Sequence, residues 1–132
     1  MALSITENKV TRLQVQEIID NPWDAQLLLK KTRIKKDNLK PLADAGDVNA
    51  QIVLLLGLTA NAVDEIWTEE FEDENTHKMV PMERYSFKDV PLFAADPGEV
   101  EELKERLFNA VNEQSDSKQL YWKSYFIREF SR

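Results

Sequence analysis

Apolar positions along this chain recur mostly at spacings of three and four, the pattern of helices that bury one face. Val10, Leu13, Val15, Ile18 and Ile19 predict a helix over about 9–20, preceded by a capping box at Ser4-x-x-Glu7. Asn21-Pro22 opens a second helix, because Asn caps and Pro suits the first turn. That helix carries Trp23, Ala25, Leu27, Leu28 and Leu29 and runs to about Lys31. One short turn follows over Pro41 to Ala45 and stops at Gly46. Further on, Asp96-Pro97-Gly98-Glu99 starts a helix over about 97–113, whose stripe is Val100, Leu103, Leu107, Ala110 and Val111. Ser115-Asp116-Ser117 breaks the chain and recaps it for an aromatic helix over 117–131.

The longest apolar run, Ile52 to Leu58, lies within Asp47 to Phe71. It is too short for a bilayer, which takes about 20 apolar residues, and belongs in a core or an interface. Asp47 follows Gly46 and predicts a helix beginning at Val48. Gly57 costs a helix interior roughly 1 kcal/mol relative to Ala, and Thr59 is a competent N-cap. Together they predict a tight corner at Gly57 to Thr59, leading into a second helix through Ala62, Val63, Ile66, Trp67 and Phe71.

The spacing Ile52-Val53-x-x-Leu56-Gly57-Leu58-Thr59-x-Asn61-Ala62-Val63 resembles the helix-turn-helix signature of bacterial transcription regulators. That resemblance implies a DNA-binding protein using residues 48–71, in which Asn61 reads a base and Lys30 to Lys40 contacts phosphates. The outward positions of the second helix would include Asp64, Glu65, Thr68 and Glu69, with Glu70, Glu72, Asp73 and Glu74 beyond them. Affinity for DNA rests largely on Lys and Arg displacing counterions, so such a helix would repel phosphate and nucleic acid is disfavoured as a partner.

Between Met79 and Ala95 the pattern changes to alternation, with Tyr85 and Phe87 interleaved by Arg84, Ser86 and Lys88. Pro81 and Pro91 confine the segment to an edge strand, or to an arm lying on a surface. The arm at 76–95 also offers Met79, Met82, Leu92 and Phe93, apolar area that needs a home in the core or on another subunit.

With 132 residues, 42% of them hydrophobic and 31% charged, the chain fits one domain with a core of its own. The expected fold class is all-α or nearly so: a compact bundle of five to seven short helices, with an irregular or edge-strand segment near 76–95. The net charge of −7 is divided unevenly, +2 over residues 1–46 and −9 over 47–132. A basic edge on an acidic body can self-associate or sort partners by charge.

Cysteine is absent, which excludes disulfides, cysteine zinc sites and thiol nucleophiles. His77 beside the tract Glu69 to Glu74 could hold a divalent metal or serve a hydrolase. No Asp-x-Asp-x-Asn-Gly loop or His-x-x-x-His pair fixes the geometry such a site needs. One histidine permits no Ser-His-Asp triad, and Gly46, Gly57 and Gly98 are too far apart for a phosphate loop.

The expectation is therefore a non-enzymatic protein-interaction or assembly module, such as an adaptor, an inhibitor or a structural subunit, without cofactor or metal. Its partner would be another protein or copies of itself, contacted through Tyr85, Phe87, Tyr121, Trp122, Tyr125, Phe126 and Phe130, since aromatics are enriched as interface anchors. The opening MALSITENKV has no basic segment followed by an apolar core, so the expected location is cytoplasmic, with no membrane contact.

Overall fold

The structure is a computed structural model that describes residues 5–131. The chain forms α1 (Ile5–Asp20), a 3-10 turn (Pro22–Asp24), α2 (Ala25–Thr32), α3 (Lys36–Asp44) and α4 (Val48–Thr59). There follow β1 (Asn61–Glu72), β2 (Met79–Pro91), α5 (Glu99–Ala110) and α6 (Ser117–Phe130). The expected all-α class is corrected: 57% of the chain is helical and 20% is a two-stranded antiparallel sheet. The Ser4–Glu7 box lies outside the described residues.

Helix α4 is the axle of the helical body. Asp47 caps it, its Oδ1 accepting the Ala50 N–H at 3.1 Å. Every residue from Ala50 to Leu58 is buried, as expected of a helix that is apolar on all sides. α1, α3, α5 and α6 pack around it.

The helix-turn-helix corner is corrected as well. α4 continues through Gly57, and Asn61 to Glu72 is a strand, so no recognition helix exists there. Gly57 serves close approach rather than a turn: a Cβ on it would run into the Phe93 ring. Near the end of α4 the Gly57 carbonyl has no helical donor, and the Phe93 N–H fills that role at 2.9 Å. Thr59 caps nothing downstream; its hydroxyl donates to the Leu55 carbonyl at 2.8 Å.

The C-terminal carbonyls of α1 show the same accounting. The Asn21 side chain donates to Glu17 O at 2.7 Å, the Asn21 N–H to Ile18 O at 3.2 Å, and the Trp122 indole N–H to Ile19 O at 3.1 Å. α6 is thereby fastened to the far end of α1.

The basic stretch Lys30 to Lys40 spans the end of α2 and the start of α3, and the short turn expected over Pro41 to Ala45 is the second half of α3, which accommodates Pro41 in its interior. Lys36 donates to Glu99 Oε1 at 2.6 Å and to the Ala94 carbonyl at 2.8 Å, while the Lys40 ammonium lies 3.7 Å from Glu99 Oε2. Glu99 in turn accepts the Asp96 N–H at 2.9 Å, so half of the expected box is present, although the helix begins at Glu99.

Burial pushes the Glu99 carboxyl up, but the Lys36 bond, the Asp96 N–H and the charges of Lys36 and Lys40 outweigh it and hold the group below its ordinary range. A depressed folded pKa stabilises above the unfolded value of 4.5 and is lost as pH falls through the folded one. Glu99→Gln is therefore expected to cost about 1 kcal/mol at neutral pH. Its stability should converge on that of the unsubstituted protein below pH 4.5 in urea melts.

Candidate interaction surface

The two strands form a ribbon that packs on the helical body at its base and is tied to α2 farther out by the Lys31–Glu83 ion pair. Ala62 and Val63 are buried at the base beside Leu29 of α2. The pairing is Val63 with Phe87, then Ile66–Tyr85, Trp67–Arg84, Thr68–Glu83, Glu69–Met82, Glu70–Pro81, Phe71–Val80 and Glu72–Met79, with irregularities before Ile66. At the tip, the N–H groups of Thr76 and Asn75 bind the Asp73 carboxylate and hold its pKa below the ordinary range. His77 adopts a left-handed backbone conformation beside Glu72.

Directly opposed residues of an antiparallel pair point to the same side. One face thus carries Ile66, Tyr85, Thr68, Glu83, Glu70, Pro81, Glu72 and Met79, the last of them exposed. This face looks toward α2, because Lys31 reaches Glu83 at 2.6 Å. Trp67, Glu69, Phe71, Val80, Met82 and Arg84 occupy the other face. Of these, Trp67 is 41% exposed, Phe71 37%, Val80 40% and Met82 50%.

Glu69, the acid of that outer face, is answered within it. The Trp67 indole donates to Glu69 at 2.8 Å, and the Arg84 guanidinium lies 4.0 Å from its carboxylate and 5.7 Å from the centre of the Phe71 ring.

Of the aromatic residues expected to bind a partner, the ribbon holds Tyr85, half-buried, and Phe87, 49% exposed, in edge-to-face contact. The others share α6 but divide between two roles. Trp122 and Phe126 are sealed in the core at 2% and 0% exposure and present no surface. Tyr125 and Phe130 pack half-buried against them, with Lys104 over the Phe130 ring, and Tyr121 alone of this group is exposed. Sequence reasoning missed Trp67 and Phe71 as surface residues because it placed them on a helix.

An open concavity of about 840 Å3 lies between the end of α5 and α6. Its cation, Lys123, is already engaged, donating to the Phe108 and Val111 carbonyls at 2.9 and 2.7 Å. Among the described residues no group of three or more His, Asp and Glu is placed to hold a metal ion, and no helix is long and apolar enough to cross a membrane. Comparison with protein-family models, with curated proteins and with solved structures returns no match.

Proposed function

We propose that this protein is a protein-interaction or assembly module whose helical body carries the β1–β2 ribbon as its contact device. The observation behind this reading is the outer face of the ribbon, where four large apolar side chains stand exposed in one patch. An isolated two-stranded hairpin is marginal in water, and a ribbon gains stability when a further layer covers its apolar side. Patches of this kind mark interaction sites. The DNA reading gains no support, because residues 61–91 hold nine Asp/Glu against three Lys/Arg, a net −6, which repels phosphate.

A photo-reactive residue in place of Phe71 tests the proposal in native lysate, with one in place of Asn109 on α5 as the control. Covalent adducts to a polypeptide are expected from position 71 and not from 109. Equal yields from both, or none from 71, would remove the ribbon as the contact surface.

A further inference from the structure

The register of the ribbon shows which of its two edges is open. At the tip the Asp73 N–H donates to the Lys78 carbonyl at 2.8 Å, so the backbone groups of that pair turn inward. Bonded and non-bonded pairs alternate along an antiparallel ladder. Glu72–Met79, Glu70–Pro81, Thr68–Glu83 and Ile66–Tyr85 are therefore the non-bonded pairs, with N–H and C=O groups that point away from the partner strand. On β2 this outward row is broken by Pro81, which has no N–H to offer. On β1 the row Ile66, Thr68, Glu70 and Glu72 is unbroken. The stretch 66–72 contains no Pro, Gly or Lys, the residues that commonly guard an edge, and its outward groups have no backbone partner among the described residues.

We infer that this edge of β1 takes up an extended segment of another protein as a third, antiparallel strand, and that the segment alternates basic and apolar residues. The inference rests on the ribbon being a contact device, and charge chooses the occupant. Of the nine acids between residues 61 and 91, seven lie from Asp64 to Glu74, a stretch without Lys or Arg. The other two, Glu83 and Asp89, are on β2 with Arg84 and Lys88, and Lys78 sits at the tip. Within the seven, Glu69 is answered by Arg84, Glu72 by the His77 imidazole and Asp73 by the N–H groups of Asn75 and Thr76. Asp64, Glu65, Glu70 and Glu74 have no ion pair among the described residues, so the surplus negative charge runs along the open edge.

In strand addition, main-chain bonds supply affinity and alternate side chains supply specificity. A strand laid here sets its residues alternately beside Glu70 and Glu72 on one face and beside Trp67 and Phe71 on the other. Lys or Arg answers the first pair, and an apolar side chain the second. A second copy fits poorly: β1 against β1 opposes acid to acid, and β2 offers an edge interrupted by Pro81. The chain's own basic stretch, Lys30 to Lys40, is built into α2, α3 and the bend between them, and is not an extended segment.

A synthetic peptide of about nine residues, alternating Lys and Val, tests the inference by fluorescence anisotropy with the full chain. Two N-methylated forms share its charge and composition. Methylation of the Lys amides removes the donors that would face β1, and should weaken binding about tenfold or more. Methylation of the Val amides, which face solvent, should leave it within about threefold. Glu70→Lys should weaken binding of the parent peptide about fivefold or more, whereas Leu13→Lys, at a 72% exposed position on α1, should leave it within about twofold.

Absence of binding overturns the inference. So does equal binding of the two methylated peptides, which would mean charge attraction without strand pairing, or indifference to Glu70→Lys. In any of these cases, adducts from position 71 to a polypeptide would leave the ribbon as contact device standing, through its face and not its edge. Their absence would remove both readings.

Discussion

Trp122→Ala should lower the unfolding free energy by about 3–5 kcal/mol, a large part of the 5–15 kcal/mol that a domain commonly has. Two losses add. The indole is almost wholly enclosed and contacts Tyr121, Tyr125 and Phe126 at ring separations of 5.7, 5.4 and 6.1 Å, so truncation opens a cavity among groups that cannot all close it. It also strips the Ile19 carbonyl, at the end of α1, of its donor. Thermal unfolding followed by circular dichroism should show a fall of roughly 10–20 °C. Trp122→Phe separates the terms by keeping most of the packing and losing only the donor. A fall of under 1 kcal/mol for Trp122→Ala would mean that α6 does not close the core.

Gly57→Ala is the second large effect, and its sign is the informative part. Helix propensity alone predicts about 1 kcal/mol of stabilisation at an interior position. The added methyl would instead collide with the Phe93 ring, and overpacking of this kind costs about 1–3 kcal/mol. The expected net result is destabilisation, with disturbance concentrated where β2 leaves the ribbon and returns to α4. Phe93→Ala makes room for the methyl, so the double variant should be more stable than the two single effects added, by at least about 1 kcal/mol. Stabilisation by Gly57→Ala alone would show that Phe93 does not rest on α4.

These two sites also show how far the sequence could be read. The α5 stripe, the Asp47 cap and the Gly46 stop are local signals, and they appear close to where local rules place them. α6 was legible as a helix, but whether its aromatics face inward depends on α1, a hundred residues away in the chain. Gly57 looked like a turn because glycine is costly in helices; only the distant Phe93 gives it a reason to be there.

The strand at 61–72 was misread for a physical reason. Trp67 and Phe71 are four apart, a spacing that puts two side chains on one face of a helix and equally on one face of a strand. Ala62, Val63, Ile66 and Trp67 fit the helical period as well. Only pairing with 79–91 decides between the two, and that alternating segment was itself read as strand or arm without a partner. Once the two are paired, the apolar outer face follows from the register.

The proposed division of labour between a helical body that supplies stability and a ribbon that supplies contact is tested most directly by hydrogen exchange in dilute solution. Amides of α4 should be strongly protected throughout. Amides of the outer ribbon, Trp67 to Glu72 and Met79 to Glu83, should exchange readily, because no further layer of this chain covers them. Ribbon amides as slow as those of α4 would contradict the account.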